Sequence, residues 1–284
     1  MAAYLEKIRF LAAGKVRASL NAWIVAMLMS VLNQASAAPD DALSCLAKTY
    51  PDHLTLPTGD LVIVSHAGQR YPYESETLFK NIEDELDRAD LFSQLRQRYQ
   101  RGSLARAPQN NEDPGRLRHM PLFLDMYGKT SSEVIKKLVN IHWAPCNCQF
   151  QFSSVNGAAR ALETVGKEIH SAGLSHYMNQ GIGTFNWRKI AGTNRLSMHA
   201  LGIAIDFKLP SSLGRYWRWD HPSGSQHRTF PIEILRDEGL NRIVDIFEAN
   251  GFIWGGKWWH YDSIHFEYRP ELALHDCFAE DENQ

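Results

Sequence analysis

The chain has 284 residues, of which 44% are hydrophobic and 22% charged, and a formal net charge of −2. That composition is ordinary for a globular protein, and the length allows one large domain or two modest ones with a full core. There is no internal repeat or low-complexity tract, and the basic stripe of a nucleic-acid binder is missing.

The first 37 residues differ from the rest. Lys7, Arg9, Lys15 and Arg17 precede an apolar run of eleven residues, Ala22 to Leu32, and then Ala35-Ser36-Ala37. A basic start, a short apolar stretch and an A-x-A site describe a secretory signal peptide over 1–37. The run falls well short of the roughly 20 residues that span a bilayer as a helix; an uncleaved anchor is the alternative. Without residues 1–37 the chain has 26 basic and 31 acidic side chains and a net charge of −5. Export makes disulfides the expected state of Cys45, Cys146, Cys148 and Cys277, rather than a soft metal site, and leaves three pairings open.

Residues 38–150 read as an accessory region of mixed short elements. Asp60 to Val64 predicts a strand, and Leu78, Ile82 and Leu86 predict an acidic helix. Asp90 is an N-cap candidate for a helix carrying Phe92, Leu95 and Tyr99. Residues 101–115 predict a loop, with Arg116 and Arg118 after it; a solvated loop is the expected state, a contact with an anionic substrate the alternative. Thr130-Ser131-Ser132-Glu133 is a capping-box pattern, with Val134 and Leu138 on the apolar face of the helix it opens.

From about 151 to 275 the pattern strengthens. Ala158, Leu162, Val165 and Ile169 step by four, three and four, a helix ending at Gly173. Leu240, Ile243, Val244 and Phe247 mark another, ended by Asn250-Gly251. Strands are predicted at Ile203 to Leu209, Phe252 to Trp254 and Ile264 to Tyr268, with an acidic tail at 276–284. Helices and strands mix without βαβ alternation, so the fold class is α+β.

Two motifs carry the chemistry. The first is Ser197-Met198-His199-Ala200-Leu201-Gly202-Ile203-Ala204-Ile205-Asp206, and the second is Trp258-Trp259-His260-Tyr261-Asp262-Ser263-Ile264-His265-Phe266-Glu267. Strand alternation points Ile203, Ile205 and Phe207 into the core and Asp206 the other way, and it puts His265 and Glu267 on one face. Two neighbouring strands thus present His199, Asp206 and His265 to one zinc ion, which takes three protein ligands and keeps a fourth position for water. Asp262, three residues before the last ligand, is placed as general base.

These motifs, Ser-x-His-x-x-Gly-x-Ala-x-Asp followed by Asp-x-x-His-Phe, resemble the zinc D-alanyl-D-alanine carboxypeptidase family, which includes the L-alanyl-D-glutamate endopeptidases of phage endolysins. The resemblance spans residues 155–272. It implies a hedgehog-like α+β zinc domain with a small antiparallel sheet and flanking helices. It also implies hydrolysis of peptidoglycan stem peptides in the periplasm or cell envelope of a bacterium, with no nucleic-acid partner and no membrane span after signal cleavage. By position, His199, Asp206 and His265 match its zinc ligands and Asp262 its base; Asp rather than Glu there leans towards the endopeptidases.

Arg188 matches the family's arginine upstream of the first ligand, suited to a substrate carboxylate or an oxyanion; a surface ion pair is its alternative. Ser197 is a candidate to orient the ligand loop or meet substrate, with a plain turn hydroxyl as its equal alternative. Six of the eight tryptophans lie between 187 and 259. Of these, Trp258 is expected to touch substrate and Trp254 to pack inside. His260 is expected as a partner behind the site or a transition-state donor. A non-catalytic zinc module that binds wall peptides is the rival reading. A lysostaphin-like peptidase needs a His-x-His pair, which the residues around His265 lack.

Overall fold

A computed structural model describes residues 39–73, 78–210, 213 and 230–278. The expected signal peptide, Trp217, Trp219 and residues 279–284 of the acidic tail lie outside the described residues. The chain is α+β, with small antiparallel sheets among short helices. No helix among the described residues is long and apolar enough to cross a membrane.

The leading region opens with α1 (Pro39–Thr49), which has Asp40 and Asp41 in its first turn and Lys48 in its last, matching the helix dipole. Three short strands follow, β1 (Leu54–Thr55), β2 (Val62–Ser65) and β3 (Arg70–Pro72), as an antiparallel sheet in that order. In α2 (Ile82–Arg88) the cap is Asn81, whose side chain accepts from the Asp84 N–H, so the helix starts after Leu78 and leaves that residue exposed. The expected apolar stripe therefore begins at Ile82. Asp90 caps α3 (Leu91–Leu95) through the Ser93 N–H at 2.8 Å, as its sequence predicts. Tyr99 lies beyond that helix.

After α4 (Met120–Tyr127), Thr130 caps α5 (Ser131–Ile135) by accepting from the Glu133 N–H. This helix is one turn long, and Leu138 is not on it. Leu138 begins β4 (Leu138–Trp143), which pairs in full with β5 (Cys148–Ser153). A six-residue ladder outcompetes a second helical turn, and the boundary expected at 150/151 falls inside β5. The hairpin turn carries Asn147 at φ 50° and a Cys146–Cys148 disulfide, while Cys45–Cys277 ties α1 to the chain's end.

The helices predicted from period form where expected. In α6 (Ala158–Ser171), Ala158, Leu162, Val165 and Ile169 are fully buried. Gly166 lies so close to Trp143 that an added Cβ would meet its ring at 2.7 Å. In α7 (Glu238–Ala249), Asp237 caps the Leu240 N–H at 2.7 Å, and Leu240, Ile243, Val244 and Phe247 are buried. α6 packs on the β4–β5 hairpin and on α7, and α7 packs on the sheet that holds the site, made of β6 (Ala204–Asp206), β7 (Phe252–Trp254) and β8 (His265–Tyr268) in the order β6-β8-β7. Phe266 at its centre stacks on Phe247, Phe207 and Trp254 with ring centroids 3.9, 5.5 and 6.2 Å away. Burying such a ring stabilises by about 1.5–3 kcal/mol. α8 (Pro270–Ala273) follows β8 directly.

Candidate active site and metal centre

His199 sits on a tight turn, Met198–Leu201. Ser197 opens the turn by accepting the His199 N–H at 3.4 Å, and Gly202 closes it at φ 67°, where a Cβ would meet Leu138. Thr184 O, which can only accept, lies 2.6 Å from His199 Nδ1. The proton is therefore on Nδ1 and the lone pair on Nε2. That Nε2 is buried and, among the described residues, makes no hydrogen bond, although Asp206 Oδ2 is 3.1 Å away.

Antiparallel pairing brings the other two residues beside it. Asp206 is directly opposite His265 across β6 and β8, and Ala204 is opposite Glu267. Asp206 Oδ1 lies 2.9 Å from His265 Nδ1, and Glu267 Oε2 lies 3.1 Å from His265 Nε2. One donor atom each from His199, Asp206 and His265 falls within 4.8 Å of the others. Ligand atoms of a tetrahedral zinc lie about 3.4 Å apart. Two imidazole nitrogens, one of them the orphaned His199 Nε2, and one carboxylate oxygen therefore fit such an ion, with one position left over.

Charges around the triangle are strongly coupled. Burial alone would raise the Asp206 carboxyl, but the His199 and His265 imidazoles beside it hold it well below the usual carboxylate range. Burial alone would lower the His265 imidazole, but Asp206 and Glu267 raise it to about 10. Asp262 is the exception among these acids: burial pushes its carboxyl up to about 6, opposed by His265 and aided by Asp206. Its Oδ1 is buried and, among the described residues, has no hydrogen-bond partner. The carboxylate is fixed by the turn, where Asp262 N–H donates to Gly255 O at 3.0 Å and Asp262 O accepts from the His265 N–H at 3.1 Å.

A cleft of about 1180 Å³ opens onto this group and is lined by both motifs. Ser197, Arg188, Trp258 and His260 all line it. Arg188 is exposed and, among the described residues, has no carboxylate partner; its Nη1 reaches only Lys189 O at 3.4 Å. Trp254 is buried, its indole N–H donating to Ser263 O at 2.8 Å. Trp258 is also nearly buried, with its ring 5.8 Å from that of His265 and its N–H on Pro114 O at 2.8 Å. It forms a wall of the cleft beside the candidate ligand His265.

The expectation of a solvated loop at Arg116 and Arg118 is corrected. Both side chains are about nine-tenths buried, at 10% and 12% exposure, and both line the cleft. Arg116 Nη1 donates to Asp113 at 3.1 Å and Arg118 binds Glu267 at 2.5 Å. A loop that meets buried acids does not stay in water.

Asp113 escaped the sequence reading altogether. It accepts from the His260 N–H at 2.9 Å and pairs with His260 Nδ1 at 2.5 Å. Burial would raise its carboxyl, but His260 and the Arg116 charge hold it below the usual range. The local signal was only a turn, Asp113-Pro114-Gly115, with nothing to point 147 residues along the chain.

No curated protein and no solved structure matches the chain. Residues 191–268, which hold all three candidate ligands and Asp262, match the peptidase family described as D-alanyl-D-alanine carboxypeptidase, the family that the two motifs resemble.

Proposed function

We propose that the chain is an exported zinc metallopeptidase that hydrolyses peptidoglycan stem peptides, as a carboxypeptidase or endopeptidase. The observation that carries this reading is one cleft holding both the His199–Asp206–His265 triangle and the unpartnered Asp262 oxygen. Zinc, when bound, supplies a Lewis acid that polarises the scissile carbonyl and acidifies water.

The chain's own residues do the rest. Asp262 takes the proton of the attacking water on its buried oxygen and returns it to the leaving amine as the C–N bond breaks. A base titrating near its working pH suits both transfers. Arg188, with no acid of its own, offers N–H donors to the charge that develops on the carbonyl oxygen. Thr184 O fixes the His199 tautomer so that Nε2 faces the metal position. Ser197, Trp258 and His260 line the route of the peptide.

The test is mass spectrometry of products from defined muropeptides incubated with zinc-loaded protein. New amine and carboxyl termini at one peptide bond are expected from the wild type. Asp262→Asn is expected to bind zinc as the wild type does and to lose about 10²–10⁴-fold in rate. Unchanged substrate with metal-loaded wild type would favour a non-catalytic zinc module instead.

A further inference from the structure

Residues 113–118 lie outside the segment matched to the peptidase family, yet they line the back of its site. Asp113 takes two hydrogen bonds from His260, and the Pro114 carbonyl takes the Trp258 N–H. The Gly115 carbonyl accepts from Arg269 Nη1 at 2.7 Å. Gly115 is at φ 87°, against Ile253, where no side chain would fit. Arg118 then reaches Glu267 with two parallel bonds, Nε to Oε1 at 3.0 Å and Nη2 to Oε2 at 2.5 Å.

Glu267 is fully buried and stands two residues after His265, so both side chains leave the same face of β8. Ala204, opposite Glu267, leaves room for the carboxylate. Its Oε2 lies 3.1 Å from His265 Nε2, the nitrogen that faces away from the ligand triangle. A carboxylate on the rear nitrogen of a metal-binding imidazole fixes the ring's orientation and tautomer. Arg269 also touches Glu267, but with a single bond to Oε1 at 3.1 Å. Only the Arg118 fork grips both oxygens and so sets the plane of the carboxylate.

We infer that Arg118 is a positioning residue for the metal centre, acting on His265 through Glu267. The inference rests on the metal reading of His199, Asp206 and His265. A purely structural Arg118 would affect stability and leave metal affinity alone; a positioning Arg118 sets how well His265 Nδ1 meets the ion.

The experiment is zinc affinity of the full metal-free chain by chelator competition, with the cobalt(II) absorption spectrum as a second readout of ligand geometry. Arg118→Gln leaves the Glu267 charge paired with Arg269 and is expected to weaken zinc binding about 10–100-fold and to shift the cobalt bands. Arg118→Lys keeps the charge without the fork and is expected to lose several-fold. Folded Arg118→Gln with zinc affinity within about twofold of wild type overturns the inference. Should the glutamine variant not fold, the same criterion applied to Arg118→Lys decides. Wild type that binds zinc tightly but cleaves no muropeptide overturns the peptidase reading and leaves this one standing; wild type that takes up no zinc overturns the metal reading beneath both.

Discussion

Lys257→Met tests whether buried charge joins the leading region to the catalytic part. Lys257 and Glu248 are 3% and 2% exposed and paired at 2.5 Å. The ammonium also donates to Gln100 O at 2.9 Å and Gly102 O at 2.6 Å. Glu248 in turn accepts from Tyr99 Oη at 2.6 Å and the Gly102 N–H at 2.7 Å. Methionine fills the stem's volume but removes all three donors. A buried carboxylate then loses its countercharge, at a cost of about 3–5 kcal/mol. For a domain of this size that lowers the melting temperature by about 6–20 °C, at roughly 2–4 °C per kcal/mol. The assay is thermal and urea unfolding at pH 7, with Lys257→Met/Glu248→Gln beside the single variant. The neutral glutamine amide removes the unpaired charge and keeps one oxygen, which can accept from either Tyr99 Oη or the Gly102 N–H, so the double variant is expected to recover part of the loss. A Lys257→Met cost below about 1 kcal/mol, or a double variant less stable than the single one, would refute the reasoning.

Two further predictions concern the metal and pH. Chelation is expected to abolish hydrolysis and added zinc to restore it, while far-UV circular dichroism stays unchanged, because the core clusters do not involve the ligands' donor atoms. Zinc at a hundredfold excess over its Kd should add about 2.7 kcal/mol of stability. Asp113, whose folded carboxyl is depressed, contributes stability that is fully present above its unfolded value near 4 and is lost as pH falls through the folded value. Urea unfolding of Asp113→Asn should therefore show a large deficit against wild type at pH 7 that shrinks towards pH 2; an equal deficit at both pH values would exclude the linkage.

What was legible in the sequence was local. The apolar steps of α6 and α7, the Asp90 cap and the alternation that sets Asp206 and His265 on one face are all properties of neighbouring residues. Each of them holds in the structure. The β4–β5 hairpin was missed because Val134 and Leu138 share a helical spacing. The competing ladder needs Cys148–Ser153, which has no local signature of pairing. Leu78 misled in the same way, since a spacing of four fits a helix that Asn81 in fact begins three residues later. Asp113 with His260 and Arg118 with Glu267 were illegible for a stronger reason. Their separations of 147 and 149 residues leave no trace in any window of sequence.

The acids behind the site are what those long-range pairs serve. Asp113, Glu248, Glu267 and Glu271 are all buried, and each meets a cation or imidazole: Arg116 with His260, Lys257, Arg118 with Arg269, and Arg269 again. Such pairs seldom stabilise more than apolar packing of the same volume would. Stability alone therefore does not account for them. What apolar groups cannot do is turn an imidazole about its axis and hold one tautomer, as Asp113 can for His260 and Glu267 for His265. Five of the partners, Asp113, Gly115, Arg116, Arg118 and Tyr99, come from the leading region. Segment 191–268 alone would leave His260 without Asp113 and Glu267 without Arg118. On the inference drawn above, the leading region supplies orientation to a site whose candidate ligands it does not contain.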